Sequence, residues 1–118
     1  MKKLLFLLPV LLLALNAHAF DVKSRPLYPS INEVITIEIH GASQGATLHW
    51  GVNAVGTMWE EALPVYRPDG SIQDGVATRT ELDGPDDQGV LRVQLGPFNN
   101  TNQLVRALNF AINWKDGT

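Results

Sequence analysis

Cysteine is absent from this chain of 118 residues. That excludes a disulfide framework and any thiolate-bound metal. Positive charge is also scarce: 9 Lys and Arg stand against 12 Asp and Glu. Lys2 and Lys3 lie at the extreme N-terminus, and setting them aside leaves 7 basic residues and a net charge of −5. Such a balance argues against nucleic acid as a partner and leaves neutral ligands open. Helical periodicity is the third thing missing: after residue 19 the apolar residues mostly alternate instead.

What is present begins with an apolar run. Leu4 to Leu15 covers 12 residues, after Lys2-Lys3 and before Asn16 and the small-x-small triplet Ala17-His18-Ala19. The run is too short for the ~20 residues of a membrane-spanning helix. It reads as a secretory signal peptide, 1–19, cleaved after Ala19. The sequence therefore predicts a secreted or periplasmic bacterial domain with no membrane attachment after cleavage. That domain would run over 20–118, 99 residues, enough for one small core.

Within it, Glu33 to His40 alternates cleanly, with Ile35, Ile37 and Ile39 on one face. Turn residues Gly41 to Gly45 follow, then a second strand from Ala46 to Val52, so a local hairpin is expected. Val76 to Leu82, Val90 to Leu95 and Leu104 to Trp114 read as three more strands, and Phe20 to Pro26 as a sixth. Asn53 to Gly75 carries Gly56, Pro64, Pro68 and Gly70 and no clear period, the signature of a long loop. The expected fold is all-β, an antiparallel immunoglobulin-like β-sandwich. The chain reaches Lys115-Asp116-Gly117, a turn that ordinarily leads onward, so a last strand beyond Thr118 is expected.

Catalytic constellations are weak. The serines lack a nucleophile elbow, and no phosphate-binding loop or dinucleotide fingerprint is present. His40 and His49 would face each other across the expected hairpin, yet no third metal ligand is evident. Asp83, Asp86 and Asp87 share one turn and suit either a hard cation or plain solvation. Glu60 and Glu61 are adjacent, so on an extended segment they point apart and make a poor acid/base pair. No catalytic residue, metal or cofactor is called for.

The aromatic residues are more informative. Trp50 is in phase with Leu48 and Val52, and Phe110 with Leu108 and Ile112, which marks both as core. Trp59 lies outside any strand pattern, so it is either a plug over the core or a ligand platform. Trp114 is nominally in phase with Ile112 but falls at a strand end. Asn113, Lys115 and Asp116 flank it with groups that could bond sugar hydroxyls.

These motifs occur in a suggestive order. Leu48-His49-Trp50-Gly51-Val52 is followed by Trp59, by Pro68-Asp69-Gly70-Ser71 and by Asp74 to Thr80. Leu108-Asn109-Phe110-Ala111-Ile112-Asn113-Trp114-Lys115 closes the series. From about Glu33 to Lys115 the chain resembles carbohydrate-binding module family 45. Those are the starch-binding modules found at the N-terminus of plant α-glucan water dikinases and in some secreted amylases. The chain has one proline in its MWEEALP segment where that family often shows a pair.

The resemblance implies non-catalytic binding of α-glucan, whether starch, glycogen or maltodextrin, by tryptophan stacking. It implies a platform of Trp59 and Trp114, with Trp50 structural, and a catalytic domain downstream in a longer exported protein. Lys115, Asn113 and His49 are the expected polar contacts. The alternative is an immunoglobulin-like periplasmic structural or protein-interaction domain with its tryptophans buried.

Overall fold

The computed structural model describes residues 20–117; the expected signal peptide lies outside them. The strands are β1 (Asp21–Arg25), β2 (Ile35–His40), β3 (Ala46–Val55), β4 (Met58–Glu60), β5 (Ile72–Asp74), β6 (Ala77–Glu81), β7 (Val90–Leu95) and β8 (Leu108–Trp114). One 3-10 turn, Pro64–Tyr66, interrupts them. All pairings are antiparallel. They form a three-stranded sheet, β1-β2-β7, and a five-stranded sheet around β3. The architecture is the all-β antiparallel sandwich that the alternation predicts.

Alternation decides which face is buried. Ile35, Ile37 and Ile39 of β2 and Leu91, Val93 and Leu95 of β7 point into the sandwich. Leu48, Trp50 and Val52 of β3 and Leu108, Phe110 and Ile112 of β8 meet them from the other sheet in one continuous core. Each such side chain contributes about 1.5–3 kcal/mol by leaving water. That burial does the work disulfides would do elsewhere. Trp50 is fully buried, its indole Nε1–H donates to Thr80 Oγ1 at 2.9 Å, and its ring meets Phe98 edge-on at 6.0 Å.

The expected hairpin between β2 and β3 does not form. β2 is flanked by β1 and β7, with partners on both sides from Thr36 to His40. No edge remains for β3, so residues 41–45 cross from one sheet to the other. The same fact parts His40 from His49. The long irregular segment is also shorter than expected, because it contains β4, the 3-10 turn and β5. The last strand begins at Leu108, not Leu104, and β3 runs on to Val55.

β3 lies at the centre of its sheet. Trp50 pairs with both Thr78 of β6 and Phe110 of β8, and Val52 pairs with both Leu108 of β8 and Glu60 of β4. β8 therefore occupies one side of β3, while β6 and then β4 occupy the other.

The outer face of the three-stranded sheet carries a charge cluster centred on Glu38. Its Oε1 accepts from Arg25 Nε at 3.2 Å and from His40 Nε2 at 2.9 Å, and its Oε2 accepts from Arg92 Nε at 3.3 Å. Arg92 continues to Asp86 at 2.7 Å. The hydrogen bond from His40, with help from Arg25 and Arg92, outweighs desolvation and lowers the Glu38 carboxyl to about 2, from an ordinary 4.5. A carboxyl held low stabilises the fold above its unfolded value, and that contribution is lost as pH falls from 4.5 toward 2. Solvent around the arginines limits it to about 1–2 kcal/mol. Urea unfolding of the native chain is therefore expected to lose stability between about pH 5 and pH 2 more steeply than Glu38→Gln. Parallel pH profiles for the two would refute the cluster's role.

Candidate functional site on the outer face of the five-stranded sheet

The residues of β3 that alternate with the core point outward: Thr47, His49 and Gly51. Across from them stand Glu81 and Arg79 on β6, and Asn113, Ala111 and Asn109 on β8. Gly51 leaves a gap in this face, and Trp59 fills it. A Cβ on Gly51 would lie 3.0 Å from Trp59 Cβ and 3.1 Å from its Cε3. The indole thus rests on bare backbone, half-buried. Glycine within a strand marks such close approaches.

Local structure explains how Trp59 arrives there. β3 and β4 form a tight hairpin, with Val55 opposite Met58 and Gly56 at a φ of 64°. The ladder slips between Val52 and Val55, and Asn53 absorbs the slip at a φ of 54°. Asparagine tolerates the left-handed region better than most residues. Its side chain then ties three segments together. Nδ2 donates to Glu60 Oε1 and Leu104 O, both at 2.9 Å, and Oδ1 accepts from the Arg106 and Ala107 amides at 2.7 and 3.3 Å. Asn109 Nδ2 donates to the Asn53 carbonyl. Glu60 is held on one side of β4, which turns Trp59 to the other.

His49 lies two positions from Gly51 on the same face, about 7 Å along the strand. Its pKa is lowered, first by partial burial and then by the charge of Arg79, with Asp74 opposing. The ring is therefore neutral at pH 7, and its Nε2 sits 2.7 Å from Asn113 Nδ2. A neutral Nε2 acceptor takes the amide hydrogen of Asn113. The Arg79 side chain makes no hydrogen bond or ion pair among the described residues, and Ile72, opposite it on β5, is 60 % exposed.

Of the five residues expected to bind sugar, four reach this face: Trp59, His49, Asn113 and Lys115. Trp114 does not join them. It follows the phase of Ile112 into the sandwich, packs against the core and meets Phe20 edge-on at 5.3 Å. It is opposite Ala46 on β3, whereas Trp59 lies over Gly51. Five strand positions, about 17 Å, and the thickness of the sheet therefore separate the two rings. Lys115 crosses Gly45 at the far end of the face, where its Nζ pairs with Glu81 and its N–H donates to Gly45 O at 3.0 Å, so its charge is already engaged.

Arg79, Asn109 and Ile72 complete the face and were not singled out from sequence. The alternation Ala77-Thr78-Arg79-Thr80-Glu81 held the signal for Arg79, since Thr78 and Thr80 are the buried pair. Asn109 and Ile72 carry no comparable mark.

The face offers one aromatic surface bordered by a neutral imidazole, two amides and an unpaired guanidinium. That set can stack on C–H groups and bond hydroxyls. It holds no paired acid and base: Glu60 is engaged by Asn53 and Gln103, while Glu61 pairs with Arg67 at 2.9 Å. Among the described residues no group of His, Asp and Glu has metal-binding geometry. The acidic turn is occupied otherwise, with Asp86 bonded to the amides of Gln88 and Val90 and to Arg92.

Gly51→Val is the sharpest probe of this geometry. The new side chain displaces the indole, while Trp50 on the opposite face keeps its core position. The expected outcome is a stability loss of about 1–3 kcal/mol, as for overpacking generally, with a red-shifted component from Trp59 in the fluorescence spectrum. An unshifted spectrum would place Trp59 elsewhere. Comparison with known proteins returns no matching family model, no matching curated protein and no matching solved structure.

Proposed function

We propose that this domain binds neutral α-glucan without altering it, on the outer face of the five-stranded sheet, as the N-terminal module of an exported glucan-active protein. The observation that carries the proposal is Trp59, a half-buried indole laid over Gly51 and facing outward from a rigid sheet. A tryptophan serving only as a core plug would turn inward, as Trp50 and Trp114 do. His49, Asn113 and Arg79 share the face with the ring and supply donors and acceptors for hydroxyls. The net negative charge suits an uncharged ligand, so binding should depend little on salt. A single shallow face gives weak affinity, which attachment to a second module or a catalytic domain would raise.

The test is a fluorescence titration of the native domain with maltodextrin, repeated with Trp59→Phe. Quenching or a shift that the variant loses supports the proposal; a flat titration of a folded native domain sinks it. A flat result would favour the second reading, an immunoglobulin-like interaction domain. That reading has its own support: among the described residues β8 pairs with β3 alone, and a sheet edge of that kind suits strand addition.

A further inference from the structure

A groove of about 610 Å³ opens at the end of the sandwich where β3 and β4 turn. Asn53, Glu60, Asn102, Gln103, Leu104 and Arg106 line it. It opens on the other side of β4 from Trp59, around the edge of that strand. Glu60 is the next residue of β4, and Asn53 lies two positions beyond Gly51 on β3. Asn109, beside Gly51, bonds to Asn53 and joins the two regions.

The polar groups of the groove fall into two sets. Asn53 and Gln103 are spent: Gln103 Oε1 accepts from Leu63 N at 3.1 Å, and its Nε2 donates to Glu60 Oε1 and Glu61 O. These bonds fix one Glu60 oxygen between two amides and leave Oε2 directed away from them. The Arg106 guanidinium makes no hydrogen bond or ion pair among the described residues, although its backbone N–H is held by Asn53 at 2.7 Å. Leu104 is 60 % exposed and adds an apolar surface between these polar groups. A fixed carboxylate, a free guanidinium and an exposed leucine match a sugar ring, which offers vicinal hydroxyls on its edge and C–H groups on its face.

We infer that this groove is a second subsite, in which Glu60 and Arg106 grip the hydroxyls of a glucan chain that continues from the Trp59 face. The inference rests on the proposed function and deepens it. A chain short enough to cover Trp59 alone does not reach the groove, whereas a longer one fills both. The domain therefore selects for chain length, and it reads an internal stretch of polysaccharide, not an isolated residue.

Calorimetric titration with maltotriose and with maltoheptaose separates the parts. Arg106→Ala removes a side chain with no partner among the described residues, so the melting curve should stay close to native. It is expected to weaken maltoheptaose about tenfold, one charged hydrogen bond's worth, and maltotriose less than about twofold. Glu60→Gln, checked for folding by its melting curve, is expected to show the same split. Trp59→Ala weakens both ligands. If both groove variants bind maltoheptaose like the native domain while Trp59→Ala does not, the subsite is overturned and the proposed function stands. If the folded native domain binds neither ligand, both fall.

Discussion

Trp59→Ala is expected to abolish retention on insoluble starch and to weaken soluble maltodextrin by about tenfold or more, equivalent to about 1.4 kcal/mol or more of lost stacking. Melting temperature should change less than for a core tryptophan, because the indole lies outside the sandwich against Gly51. A depletion assay, with protein measured in the supernatant after starch is sedimented, reads the first effect. A thermal melt reads the second. Trp114→Ala gives the opposite pattern: starch retention persists in whatever fraction stays folded, and stability falls because Trp114 packs on Phe20 and the core. Equal loss of starch binding in folded Trp59→Ala and Trp114→Ala proteins would restore a platform built from both rings. Full retention by Trp59→Ala would remove the outer face as the site.

Trp50→Ala should be the most damaging single change in the molecule. Trp50 is fully buried, sits between both neighbouring strands and meets Phe98 edge-on. Truncation costs about 3–5 kcal/mol in transfer and cavity terms. It also leaves Thr80 with only Ser71 Oγ, at 2.8 Å, as its hydroxyl partner. Small domains hold about 5–15 kcal/mol in total, so the variant should be largely unfolded at body temperature, or so marginal that mild urea unfolds it. Equilibrium urea unfolding followed by circular dichroism is the measurement. A midpoint within about 1 kcal/mol of the native value would mean that the core does not depend on this ring.

The sequence and the structure agree best where burial is strongest. β2 and β7 carry isoleucine, leucine and valine at every second position, β8 carries leucine, phenylalanine and isoleucine, and a half-buried strand can arise from that pattern almost irrespective of its neighbours. Trp50 and Phe110 were legible for the same reason. The pairing of strands was less so. Adjacent strands usually pair, and nothing in Gly41 to Gly45 forbids a turn. What forbids the hairpin is that β1, the strand just before it, and β7, from a distant part of the chain, take both edges of β2. β4 and β5 are three residues each, too short for a period to show.

The candidate site divides along the same line. Trp59 was noticed because it broke the strand pattern, yet its seat on Gly51 depends on a hairpin and a left-handed asparagine that no periodicity reveals. Trp114 was torn between two signals. Its phase with Ile112 pointed inward, while its place in the resembling motif pointed to ligand, and the structure follows the phase. Arg79 and the Glu60–Arg106 groove come together through contacts across the sheet and between distant loops. Spacing along the chain does not encode them.

The central place of β3 has a consequence for how the molecule reaches its native state. Trp50 bonds to a residue 30 positions later, and His49 to one 64 positions later. Neither contact can form until a long loop has closed, and each closure is opposed by chain entropy before burial rewards it. The domain should therefore fold on the roughly millisecond-to-second scale of β-sandwiches, in one cooperative step. The strand that seats the Trp59 indole finds all its partners, β4, β6 and β8, later in the chain. A ribosome releasing this polypeptide must deliver β8, residues 108–114, before Asn109 and Asn113 can join Trp59 and His49 on the outer face.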